Sequence, residues 1–185
     1  MTESHTAPVS ADRERLEHLF RAHEPAIVAY LRRRAAADTV DDLVAETFLV
    51  AWRRLDDVPL QEPLPWLLAV ARRVLSTHRR GRDRRRNLGE RMMDVQPRSR
   101  SWEEDGEDRA TAALARLSER DREALTLIAW EGLTPQQAAT VLGEPPGRFR
   151  VRLHRAKRRM KALLSEPPSS APAAPRFSTR QGASR

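Results

Sequence analysis

A chain of 185 residues with 39% hydrophobic and 32% charged content has apolar material for one ordinary domain or two small ones, not for a large core. Its formal charge of +8 and isoelectric point near 11.2 call for a polyanionic partner, nucleic acid first and an anionic membrane surface second. Cysteine is absent, which excludes disulfide staples, thiolate zinc sites and thiol nucleophiles. The opening MTESHTAPVSADRERL has no basic segment leading into an apolar one, so it does not read as a signal peptide. The longest apolar stretch, residues 66–71, is too short to cross a bilayer. The expectation is a cytoplasmic protein without membrane insertion.

Residues 1–11 read as a loose tail. From about residue 12, Leu16, Leu19, Phe20, Ile27, Tyr30 and Leu31 fall at helical spacing. Arg32, Arg33 and Arg34 close that helix, where cations suit its dipole. A second helix follows Thr39, which can cap it, and buries Val40, Leu43, Val44, Phe48, Ala51, Trp52 and Leu55. Asp41, Asp42 and Glu46 occupy its early turns, and it ends at Asp56 and Asp57. VPLQEPLPW, residues 58–66, is a proline-stiffened loop whose Pro63 or Pro65 opens the next helix. That helix carries a stripe of Trp66, Leu67, Val70, Ala71, Val74 and Leu75 and runs into THRRGRDRRR.

Residues 81–108 keep no period. They are basic at first and acidic in WEEDGED, and they read as a flexible linker. Order returns over residues 110–117 and 118–131, where Ser118 and Asp121 nearly match a capping box. Gly132 stops that helix. Thr134 and Pro135 start another, which ends at Gly143, and a last helix covers residues 146–164. The closing SEPPSSAPAAPRFSTRQGASR has the composition of a disordered tail. Nothing reads as a strand. The fold class is all-α, with two small helical domains, the C-terminal one a helix-turn-helix.

The last helix is the most informative element. At about 100° per residue, Phe149, Leu153, Ala156 and Met160 fall on one line and form a core face. Gly147, Val151, His154, Arg155 and Arg158 lie opposite, with Arg148 and Arg150 flanking them at the N-terminal end. A short helix, a Gly-Glu-Pro-Pro turn and a helix with a basic outer face match a helix-turn-helix, whose second helix enters the major groove. There Arg reads guanine bidentately, Val151 can meet a thymine methyl, and arginines farther along hold phosphates. The competing reading is a merely solvated charged face in an arginine-rich chain.

Enzymatic chemistry finds no support. The histidines His5, His18, His23, His78 and His154 show no metal spacing with one another. Ser76 and Ser118 lack a partner pattern for nucleophilic catalysis, and no glycine-rich phosphate loop exists. No catalytic residue, metal or cofactor is expected.

LSERDREALTLIAWEGLTPQQAATVLGEPPGRFRVRLHRAKRRMKALL resembles the C-terminal DNA-binding domain of bacterial sigma factors. DTVDDLVAETFLVAWRRL with PWLLAVARRVLSTHRR resembles their core-binding and promoter-opening domain. The two matches stand in the expected order across a short linker, the layout of the extracytoplasmic function (ECF, group IV) class. The resemblance implies that residues 41–52 form the helix that meets the RNA polymerase clamp. Asp41, Asp42 and Glu46 would make the polar contacts, with Leu43 and Phe48 shared between contact and core. Read without the family, those carboxylates merely complement a helix N-terminus. The resemblance also implies minus-ten recognition and melting by the loop 58–66 and the helix after it. Asp57, Gln61 and Thr77 would belong to that minus-ten site, and Arg72, Arg73, Arg79 and Arg80 would hold phosphates. Trp66 is either core or a stacking platform, and it leads an apolar stripe. Thr134, Gly147, Arg148, Arg150, Val151, His154, Arg155 and Arg158 would meet the minus-thirty-five element.

Departures accompany the match. Ala45 stands where relatives often have Gln, Arg73 where Asn is common and Thr77 where Asp is common. The loop is proline-rich and lacks the usual Phe and Gly. Pro145 replaces a common capping Ser, and Arg148 a common Thr. The implied partners are core RNA polymerase, promoter DNA and an anti-sigma protein. The rival is a stand-alone helix-turn-helix repressor or activator, which has no use for the DDLVAETF segment.

Overall fold

The computed structural model describes residues 7–89 and 109–166, which contain helices and turns and no strand. Helix α1 spans Ala7–Arg32, α2 Val40–Arg53, α3 Pro63–Gly89, α4 Arg109–Ala115, α5 Glu119–Ala129, α6 Pro135–Leu142 and α7 Pro146–Ser165. Short 3-10 turns at Ala37–Thr39 and Leu55–Asp57 enter and leave α2. Most of the expected linker, the WEEDGED stretch and the C-terminal tail lie outside the described residues.

Several boundaries differ from the sequence expectation. Helix α1 begins at Ala7, inside the segment read as a loose tail, with Pro8 in its first turn, where a missing N–H costs nothing. It also tolerates Pro25 in its interior. Helix α3 opens on Pro63 and passes through Gly81 to Gly89, so the boundary expected at residue 81 falls inside a helix. The expectation overweighted one glycine, which costs only about 1 kcal/mol in a helix. Thr39 precedes α2 without capping it; its hydroxyl donates to the Ala36 carbonyl at 2.8 Å. Trp52, placed in the buried stripe of α2, is 39% exposed.

Helices α1, α2 and α3 pack on one another through Ile27, Tyr30, Leu31, Leu43, Phe48, Leu67, Leu68 and Ala71. Helices α4–α7 form a second unit whose core includes Leu127, Ala138, Ala139, Phe149 and Leu153. The units are not separate beads. Helix α3 packs on α6, and one continuous apolar cluster runs from Ile27 to Leu153.

Candidate nucleic-acid and polymerase interfaces

The helix-turn-helix is built with tight local control. Thr134 Oγ1 accepts from the Gln137 amide at 3.3 Å, and Gln137 Oε1 accepts from the Thr134 amide at 2.8 Å, a complete capping box before Pro135. At the other end Gly143 takes φ 65°, the left-handed conformation that a glycine adopts freely, and the Glu144 amide bonds back to the Ala139 carbonyl at 3.0 Å. The Glu144 carboxylate then pairs with Arg152 at 2.7 Å, with the two side chains only 10% and 22% exposed. This pair pins the turn to α7. Pro145 offers no side-chain cap, but Pro146 at the first turn removes one of the amides that would need it.

Helix α7 is fixed from beneath by Phe149, Leu153 and Ala156, all buried. Arg159 reaches across to the buried Asp121 carboxylate, while the Asp121 amide donates to Ser118 Oγ at 3.2 Å. The Ser118 cap forms as read, but Asp121 spends its carboxylate on α7 instead of completing the box. Thr134, Gly147, Arg148, Arg150, Val151, His154, Arg155 and Arg158 are all exposed, with Val151 52% accessible. The angular reading of this helix and the structure agree except at Met160, which was placed on the core face and is only partly buried, because the last turns of α7 run past the core.

The basic face of α3 is different. Arg73, Thr77 and Arg80 are exposed, as are Asp57 and Gln61 in the loop before the helix. Asp57 is held by Arg54 at 2.8 Å, and Arg15 on α1 donates to the Val58 carbonyl at 2.8 Å, anchoring the start of the loop. Leu60 at its tip is 84% exposed. Trp66 is partly buried against Leu19, Leu55 and Val58, which favours the core reading over the stacking platform. Arg72 and Arg79, expected to hold phosphates, both face the second unit. Arg72 Nε and Nη2 bond the two Glu123 oxygens at 2.8 and 3.2 Å. That bidentate bond, offset by burial, holds the Arg72 guanidinium above the usual arginine range. Arg79 lies 3.5 Å from Glu119 and donates to the Arg34 carbonyl.

On α2, Asp41, Asp42 and Glu46 are exposed on the outer face. Leu43 and Phe48, expected to divide themselves between partner and core, are 1% and 5% exposed and belong to the core. Phe48 lines a shallow surface pocket with Leu16, Glu17, Phe20 and Arg21, its ring 4.8 Å from that of Phe20. The exposed apolar surface comes instead from Leu49, Trp52 and Phe20, which sequence reasoning missed. Leu49 could have been found, since at about 100° per residue it lines up with Asp42 and Glu46 and away from the buried stripe. Among the described residues no cluster of His, Cys, Asp and Glu is arranged to hold a metal, and no helix is long and apolar enough to cross a membrane.

An open basic helix on a pinned turn, coupled to a helical unit with a second basic helix, is the architecture of a two-unit helix-turn-helix protein. Residues 19–85 match the family model for Sigma-70 region 2, and residues 107–160 that for Sigma-70, region 4. The chain is 33% identical to the ECF RNA polymerase sigma factor EcfG of Rhodopseudomonas palustris, over 69% of this chain and 72% of that one. It is 32% identical to the ECF RNA polymerase sigma factor SigC of Mycobacterium tuberculosis, over 82% of each. The sigma factor RpoE of Bartonella quintana, solved in complex with the anti-sigma factor NepR, superposes with a TM-score of 0.60 at 25% identity, over 80% of this chain and 95% of that one. The chain belongs to the ECF RNA polymerase sigma factors. It directs core RNA polymerase to promoters, binds promoter DNA sequence-specifically and initiates transcription there.

Proposed function

We propose that the two units divide the promoter between them, as in the group IV subclass. Helix α7 reads the minus-thirty-five duplex, with Arg148, Arg150 and Val151 at base edges and Arg155 and Arg158 on phosphates. The loop 58–66 captures an unstacked base of the minus-ten element, with Gln61 and Asp57 at its rim and Arg73, Thr77 and Arg80 on the strand beside it. Asp41, Asp42 and Glu46 make the polar contacts to the polymerase clamp, and Leu49 and Trp52 take the apolar share expected of Leu43 and Phe48. The protein is then a non-catalytic subunit acting in the cytoplasm, nucleoid-associated when engaged. The observation that carries this reading is the exposure of the whole α7 set on a helix whose entry turn is locked by Glu144 and Arg152. An anti-sigma protein is the expected inhibitor, in keeping with the NepR-bound neighbour.

The test is transcription in vitro with core RNA polymerase and a fragmented genomic library. Starts that appear only when the protein is added, sharing elements near minus ten and minus thirty-five, are the expected result. Duplex binding by the protein alone, with no polymerase complex and no transcripts, would establish the stand-alone regulator instead.

A further inference from the structure

Helix α3 runs on past the core that holds it. Its last buried side chains are Val74 and Leu75, and Arg82, Asp83 and Arg84 are all exposed, yet the helix continues to Gly89. A helix in a protein draws most of its stability from packing, and like charges four residues apart weaken it. Residues 79–86, RRGRDRRR, set six arginines against the single carboxylate of Asp83. The helix dipole accounts for cations only in the last turn, and Arg80 and Arg84 stand before it. A protruding cationic segment with no packing of its own suits a polyanion laid along it.

The exposed arginines are also in line. At about 100° per residue, Arg73, Thr77, Arg80 and Arg84 fall within about 60° of arc, and all four are exposed. The hydrogen bonds of this row stay within α3. Arg80 donates to the Ser76 carbonyl at 3.3 Å and to Thr77 Oγ1 at 3.4 Å, and Arg84 donates to the Arg80 carbonyl at 3.3 Å. The arginines that take carboxylates, Arg72 and Arg79, sit about 100° or more round the helix from Arg73 and face Glu123 and Glu119. The row is therefore left open while its flank is occupied.

Arg73, Thr77 and Arg80 are already placed at the minus-ten element. Arg84 continues their row by one further turn, off the packed part of the unit. Chain order gives the direction: the end of α3 leads toward the unit whose α7 meets the minus-thirty-five element, so Arg84 lies on that side, where the promoter stays paired. From Arg73 to Arg84 the row is about 16 Å long at about 1.5 Å per residue, which matches about five base pairs at about 3.4 Å each. It is long enough to pass from the melted strand onto duplex.

We propose that Arg84 holds a backbone phosphate of the double-stranded spacer immediately upstream of the minus-ten element, an anchor that ignores base sequence at the junction of paired and melted DNA. A contact of this kind positions without specifying, and it steadies the duplex end beside which the loop 58–66 draws out a base. The assignment rests on the minus-ten reading of α3 and extends it to DNA that this reading leaves untouched.

The test uses the full-length chain with core RNA polymerase and two probes made from a promoter recovered by transcription in vitro. Both carry the single-stranded non-template minus-ten segment. One adds about ten upstream base pairs, about 34 Å of duplex, which stops short of the minus-thirty-five element. Arg84→Ala should weaken binding to the forked probe about fivefold at about 0.1 M salt and lower the slope of log affinity against log salt by about 0.9, the value of one duplex phosphate. Binding to the strand without upstream duplex should not change. Arg84→Lys should keep most of the affinity, because a phosphate also accepts a point charge. Alanine is the best helix former, so R84A keeps α3 intact, and Arg53→Ala, at an exposed site on α2, is the neutral control. Parental affinity of R84A for the forked probe overturns the proposal, and so does an equal loss on both probes. If the parent binds neither probe with core, the minus-ten reading itself fails; the anchor is then decided on plain duplex, where an unchanged salt slope in R84A overturns it.

Discussion

Two basic helices in this molecule are written in nearly the same residues and used differently. Helix α7 presents Arg148, Arg150, Arg155 and Arg158 to solvent, and the arginines that α7 does spend within the protein, Arg152 and Arg159, hold its own turn and its own neighbour. Helix α3 keeps Arg73 and Arg80 open, yet commits Arg72 and Arg79 to the opposite unit. The difference lies in what packs alongside. Helix α7 turns its basic face away from every other element, whereas the basic face of α3 is overlooked by the acidic residues of α5. An arginine on a basic helix is thus either left open to solvent or spent on a carboxylate of the neighbouring unit.

The sharpest way to break this comparison uses two neighbours on α7. Phe149→Ala should destabilise the α4–α7 unit by about 3–5 kcal/mol, because it empties a fully buried site. Val151→Ala, two positions on and solvent-facing, should leave the thermal midpoint unchanged and weaken discrimination at one base pair. Thermal scans check the two stabilities, and binding to duplexes that differ at one base pair checks the discrimination; a stable F149A would mean that α7 is not seated as described. Next in size, Arg148→Ala with Arg150→Ala should lower affinity for a minus-thirty-five duplex by about 100-fold at fixed salt, since a good bidentate base contact is worth about tenfold or more. Fluorescence anisotropy against a scrambled duplex reads it, and an equal loss on both duplexes would make these arginines phosphate holders only.

Glu144→Ala should cost about 1–3 kcal/mol by leaving Arg152 mostly buried without its partner, and should loosen the turn that aims α7. Calorimetry and the same anisotropy assay should move together; a stability loss with intact affinity would separate the turn from DNA reading. The smallest effect concerns Tyr30, fully buried, its hydroxyl without a hydrogen-bond partner. Burial, which outweighs the nearby Arg34, pushes its ionisation well above the usual value of 10.0. A raised folded value favours the protonated phenol, so its contribution to stability is complete below pH 10 and declines as pH rises above that. Tyr30→Phe should leave the midpoint at neutral pH within about 1 kcal/mol of the parent and flatten the alkaline loss, as chemical denaturation across that range would record.

Much of the reading surface was legible because a helix repeats at a fixed angle. Phe149, Leu153 and Ala156 define one side of α7, and everything opposite them is exposed. The same rule sets Trp52 at the edge of the α2 stripe, about 100° round the helix from Ala51, and its ring stays at the surface although the residue type suggests core. Leu43 and Phe48 illustrate a related error: partner contact and core burial compete for one side chain, and α1 and α3 crowd that face of α2 so closely that the core takes both.

The sequence by itself determined most of the helices, the caps at Ser118 and Thr134, the break at Gly143 and the basic face of α7, because each depends on residues within a turn or two of one another; it also carried the family, through two separate motifs in a fixed order. Only the tertiary structure decided that Arg72 faces Glu123, that Arg34 is enclosed with Glu131, and that Leu49 and Trp52 supply the exposed apolar patch. Those contacts join residues far apart in the chain, and no local period records which face of one helix will meet which charge on another.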